Sequence, residues 1–337
     1  MTHLKTFVLA SMAVAVAALA DTAIDEVRNA GPKDNVEISN VKGRVEVEGW
    51  DKNEVRVTGT LGKNVERLEF ERDGDDTEIR VIKSGNGWRM GESNLVIRLP
   101  FGNEVRVECV SGSIEVNGIK ADLDLESISG SVRAVNCEGD IEAQSTSGSV
   151  KVLSSKGDVK AESISGSVEV DGDFREAKAK STSGSVRVKT VRDEVRAESI
   201  SGSVEIVGVA PRDVECQSES GSVSYTGGLA PNAKLRARTH SGSVKLRLPA
   251  DVSARMYAQT ISGSINNQIN SVEAERPQNG PGASLNTKFG DGSADIRLFR
   301  SGTKAVGGMA ACSNTSRIFC ICNTSVAYVD TCHVRID

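Results

Sequence analysis

The chain has 337 residues, of which 38% are hydrophobic but only 4% aromatic, with 33 glycines and a net charge of −5. That hydrophobic content is too high for a disordered chain, and so few rings leave little material for the broad core of an ordinary globular enzyme. The near balance of 41 basic and 46 acidic residues gives no general attraction to nucleic acid or anionic membranes.

Lys5 supplies a short positive start, Phe7 to Leu19 is uncharged and largely apolar, and the small residues Ala18 and Ala20 precede Asp21. This is the pattern of a secretory signal peptide cleaved after Ala20. The apolar run is shorter than the roughly 20 residues a membrane-spanning helix needs. Residues 1–20 are therefore expected to be a signal peptide. Cleavage would leave 40 basic and 46 acidic residues in a chain with no further transmembrane segment, expected to be soluble outside the cytoplasm.

Residues 21–104 read as an N-terminal divergent turn and cap. Gly43 precedes Val45 and Val47, Val55 and Val57 follow, and residues 61–100 break the pattern before a strand-like run from Leu95 to Pro100.

From 105 to 270 one signal dominates. Ser-Gly-Ser followed by Val or Ile occurs nine times, with glycines at 112, 130, 148, 166, 184, 202, 221, 242 and 263, spaced mostly by 18. Two residues after each glycine stands Val or Ile, as at Val132, Val150 and Val168. Seven and five before it stand apolar pairs such as Leu123 and Leu125, or Ile141 and Ala143. The intervening columns are charged and mixed in sign, as in Glu115, Arg133, Lys151, Glu169 and Arg187. Alternation with period 2 marks strands with one buried face. Two strands per repeat, stacked about 4.8 Å apart, make an all-β parallel β-solenoid whose turns contact only their neighbours. Glycine is expected at the corner because the turn needs dihedrals that a Cβ opposes. The flanking serines are expected to bond the backbone there or to form a ladder.

Residues 274–286, with Pro277, Gly280, Pro281 and Gly282, read as an irregular loop, and strand character resumes at Ala294 to Leu298, so residues 271–300 are read as terminal strands. Residues 301–337 lose the alternation and carry four of the seven cysteines, Cys312, Cys320, Cys322 and Cys332. Two readings stay open for this atypical tail: a disulfide-tied cap over the last strand edge, or an aberrant or disordered segment.

The phrases NVEISNVKGRVEVEGWDKNEVRVTGTL, NLVIRLPFGNEVRVECVSGSIEV and the ESISGSVEV series resemble the DUF4097 or Toastrack family over roughly residues 36–300. The resemblance implies a secreted or envelope-associated bacterial β-solenoid of adhesin type, and supplies no catalytic residues to transfer.

No serine-nucleophile elbow, zinc spacing or phosphate loop is present, and no cofactor, metal site or catalytic residue is expected. Of the three histidines, His3 falls in the signal peptide and His333 in the tail, leaving His240 beside a corner glycine. The column just before Ser-Gly stands out: Ile128, Thr146, Ile164, Thr182, Ile200, Glu219, His240 and Ile261. If it points outward it is a row of apolar and hydroxyl groups on a charged surface, a contact stripe for a partner; if the bend tucks it in, it is core. The leading expectation is a non-enzymatic adhesin or envelope scaffold that binds a surface protein or glycan. An envelope stress sensor or regulatory partner is the alternative, and a polysaccharide-active enzyme a distant third, since such enzymes gather carboxylates and aromatics in a groove. End-to-end self-association through strand edges is also open.

Overall fold

The computed structural model describes residues 21–84, 91–278 and 281–302, together with the backbone of 331–336. The signal-peptide assignment lies outside the described residues. So do Cys312, Cys320 and Cys322.

The alternating pattern makes strands, and the 18-residue spacing sets each strand over its copy. In one row Leu123–Ser127, Ile141–Ser145 and the end of Val150–Ser163 pair parallel, so that Ile141 lies between Leu123 and Val159, and Ala143 between Leu125 and Ala161. In a second row Val132, Val150, Val168 and Val186 stack in the same way. The inward columns of both rows form one continuous core. Each fully buried Val or Ile adds roughly 1.5–3 kcal/mol, so stability accumulates rung by rung. The corner opposite the Ser-Gly-Ser bend is filled by Ile119, Cys137, Phe174 and Val191, all fully buried.

Asn35–Trp50 forms the first rung, paired parallel with Glu104–Asn117 from Asn35↔Glu104 to Glu48↔Asn117. Gly43 thus sits over Gly112, as the divergent turn required. Val55 and Val57, however, do not extend that turn. They belong to Glu54–Leu61, which runs antiparallel between Thr22–Asn29 and Asn94–Pro100. These strands close the N-terminal edge of the second row, and the hairpin Val65–Asp73/Asp76–Lys83 closes the first.

The C-terminal end departs from simple order. The ninth repeat does not stack on the eighth. Ala294–Arg300 inserts between Lys234–Thr239 and Ala254–Thr260, parallel to both, so Ile296 and Leu298 follow Leu235 and Ala237 in the core columns. Met256 and Ala258 lie one rung further out, followed by the antiparallel Ala283–Phe289, which occupies part of the segment read as a loop. In the second row the backbone of Thr331–Ile336 runs antiparallel between Val244–Pro249 and Ile265–Asn267. Sequence order alone places adjacent repeats side by side. A later strand displaces the ninth because it supplies the same apolar pair in the same register.

Among the described residues no helix is long and apolar enough to cross a membrane.

Candidate binding surface

The repeated corner is held by a hydroxyl ladder. Ser127, Ser145, Ser163, Ser181, Ser199, Ser218 and Thr239 are buried at the end of the first-row strands. Ser145 Oγ donates to the carbonyl of Gly130 in the preceding rung at 2.9 Å and accepts the N–H of Gly148 in its own rung at 2.8 Å. The pattern recurs from Ser127 to Thr239. The ladder therefore uses the serine three residues before the glycine; of the flanking serines, Ser222 and Ser243 bond each other between adjacent rungs, Oγ to Oγ at 3.1 Å. A uniform Ser/Thr column among variable polar ones was its signal.

The glycines are needed for a reason other than the one expected. None of Gly130, Gly148, Gly166, Gly184 or Gly202 is among the glycines at positive φ. A Cβ at Gly148 would instead lie 2.0 Å from the Gly130 carbonyl oxygen, and one at Gly166 2.1 Å from that of Gly148. Close stacking, and not a forbidden dihedral, excludes a side chain. In the regular rungs the left-handed positions lie at the opposite corner, at Gly118, Asn136, Ser154 and Thr190, whereas in this corner column Gly43 and Gly263, at its two ends, hold φ +116° and +133°.

This tight corner turns the preceding residue outward. Ile128 and Ile164 are each 53% exposed, Ile200 49% and Ile261 47%. Thr146, Glu219 and His240 are exposed and Thr182 half-buried. Val110, one rung earlier, extends the row. The carbonyls of Ile128, Thr146, Ile164 and Thr182 each accept the N–H of Ser147, Ser165, Ser183 and Ser201 in the next rung, at 2.9–3.0 Å. Their backbone is satisfied, so side chains alone are left to meet a partner.

Beside the row runs a groove of about 430 Å³, lined by Val110, Ile128, Thr146, Ile164 and Thr182 and by the outward Glu108, Glu126, Gln144, Glu162 and Lys180. At the C-terminal end Glu219, His240 and Ile261 share a second groove, of about 390 Å³, with Phe299, Arg300 and Ser301. The inserted strand separates the last members of the row there, and His240 Nδ1 lies 3.2 Å from Ser301 Oγ.

A third groove, of about 630 Å³, lies on the outer face of the first row. It reveals a single-sign column that the mixed charges of the neighbouring columns obscure. Glu104, Asp122, Asp140, Asp158, Glu176, Glu194 and Asp213 occupy successive rungs. These carboxylates serve the fold in part: Asp122 accepts the backbone N–H of Asp140 and Asp158 that of Glu176. Hydrogen bonding from Arg175 holds Asp158 below its ordinary carboxylate range, and hydrogen bonding from Lys160 does the same for Glu142. Both are thus kept ionised, the opposite of what a general acid requires. Among the described residues no cluster of His, Cys, Asp and Glu could hold a metal ion.

The sequence model described as Toastrack DUF4097 matches residues 33–301. No curated protein matches the chain. Among solved structures, a "putative adhesin" from Bacteroides fragilis is similar at 15% identity and a TM-score of 0.43, over 63% of this chain and 97% of that one. A "putative cell adhesion protein" from Clostridium sporogenes is similar at 10% identity and a TM-score of 0.22, over 83% of this chain and 95% of the other.

Proposed function

We propose that this chain, which belongs to the Toastrack DUF4097 family, is a non-enzymatic binding scaffold of the bacterial envelope, exported by a cleaved signal peptide, that docks a surface partner along the corner row. The observation that carries the reading is the row itself: Val110, Ile128, Ile164, Ile200 and Ile261, all close to half exposed, in one line along the solenoid. Leaving these half-exposed side chains in water forgoes about half of the 1.5–3 kcal/mol that full burial of each is worth, and a monomer gains nothing in stability from repeating it. A rigid support with its backbone satisfied loses little entropy on binding.

The reading is tested by crosslinking the full chain in its native envelope and recovering it with its partners. Wild type is compared with the triple variant Ile128→Ser, Ile164→Ser, Ile200→Ser. A stoichiometric partner lost in the variant supports docking on the row; a partner retained undiminished refutes it.

A further inference from the structure

The exposed corner has a second, longer period. Glu-Ser-Ile-Ser-Gly-Ser-Val occurs at residues 126–132, 162–168 and 198–204, and between the copies stand Gln144-Ser-Thr146 and Lys180-Ser-Thr182. The ladder register places Glu126, Gln144, Glu162, Lys180 and Glu198 in one column on successive rungs. The 36-residue period therefore becomes every second rung, roughly 9.6 Å. Each of those rungs presents an exposed isoleucine, Ile128, Ile164 or Ile200, with a half-buried glutamate two residues before it. Among the described residues, Glu126, Glu162 and Glu198 have no ion-pair partner within 4.0 Å. Their neighbours Glu108 and Glu142 are paired, with Arg106 and Lys160. The surface thus carries three similar subsites, each an apolar knob beside a carboxylate without an ion pair, with Arg106 and Lys160 acting on Glu126 and Glu162 only at longer range.

A ligand that uses all three must repeat at the same interval. A β-strand lying along the row returns to one face every two residues, roughly 6.7 Å. An α-helix does so every seven residues, roughly 10.5 Å, and falls out of step by roughly 1.8 Å over two intervals. A polyproline II segment returns every three residues, roughly 9.3 Å, and drifts only roughly 0.6 Å over the same span. Its conformation is also set before binding, which lowers the entropy lost.

We propose that the corner binds an extended polyproline II segment carrying Lys or Arg at every third residue, its cations on Glu126, Glu162 and Glu198 and its prolines against Ile128, Ile164 and Ile200. This rests on the row being a docking surface. Lys180 stands on an intervening rung, opposite the stretch of ligand between two cations, and weakens binding.

The test is titration of the full chain with a fluorescent peptide of five Lys-Pro-Pro repeats, against a Lys-Gly-Gly peptide of equal length and charge. Expected is saturable binding of Lys-Pro-Pro, tighter than Lys-Gly-Gly. The triple variant E126Q/E162Q/E198Q weakens it roughly tenfold, as three exposed ion pairs allow, and Lys180→Gln strengthens it. Equal affinity for both peptides, or indifference to the triple variant, overturns the proposal. If the isoleucine variant loses its native partner while Lys-Pro-Pro fails to bind wild type, the ligand chemistry falls and the docking surface stands. If that variant keeps its partner, both fall.

Discussion

Ser163 Oγ donates a hydrogen bond to the carbonyl of Gly148, one rung below its own, at 2.9 Å. The same oxygen accepts the N–H of Gly166 at 2.8 Å, so one hydroxyl closes the corner of its own rung and fastens it to the previous one. The side chain is buried, and no water is needed to complete either bond.

Ser163→Ala leaves a donor and an acceptor unmatched inside the corner, and is expected to destabilise the chain by about 1–3 kcal/mol in urea unfolding. Ser163→Thr keeps the hydroxyl, as Thr239 does natively in the same column, and should cost much less. Equal losses would show that the ladder contributes nothing beyond packing.

The two kinds of glycine separate by mutation. Gly166→Ala drives a Cβ to 2.1 Å from backbone, whereas Gly74, at φ +62°, has nothing within 4 Å of such an atom. Gly74→Ala is expected to cost only the left-handed backbone penalty, roughly 1–2 kcal/mol. Gly166→Ala must spread two rungs and should cost more. Thermal unfolding of the pair decides it; a smaller loss at Gly166 would refute the stacking argument.

Thr190 holds φ +62°, a conformation that β-branched side chains resist and asparagine tolerates. Thr190→Asn is therefore expected to stabilise the fold by roughly 0.5–1 kcal/mol. A rise in the urea midpoint supports the assignment, and a fall contradicts it.

Much of this was legible because a stack repeats its physics. The columns at Leu123/Leu125 and Val132/Ala134 announce buried faces, and the spacing of 18 announces parallel stacking. The outward row was visible as a column, but its direction depends on how tightly the corner closes, which no alternation encodes. The insertion of Ala294–Arg300 ahead of Ala254–Thr260 was not legible. Both strands offer two apolar residues at the same interval, and local pattern cannot rank two equivalent partners for one edge. The serine and acidic columns were present in the letters. They become meaningful once Ser163 is seen to face Gly148 and Asp158 the N–H of Glu176.

Acid should weaken the stack partly through Asp158. Hydrogen bonding from Arg175 lowers its folded pKa below the ordinary 3.8, so the unfolded chain binds that proton more readily. The resulting stability is present above the ordinary value and is lost as pH falls through the lower folded value. Asp158→Asn removes this component. On lowering the pH from about 5 to about 2, the variant's urea midpoint should fall less than that of wild type; parallel curves would show that the pair is not coupled to folding.

Position-scanning photocrosslinking tests whether a partner sits on the row through Ile128, Ile164 and Ile200. A photoreactive residue is placed in turn at each of the three isoleucines and at Val209, which is 66% exposed and lies off the row. Expected is one common crosslinked partner from the three row positions and little or none from Val209. Crosslinks from Val209 equal to those from the row, or a row that crosslinks to nothing while Val209 does, would contradict it.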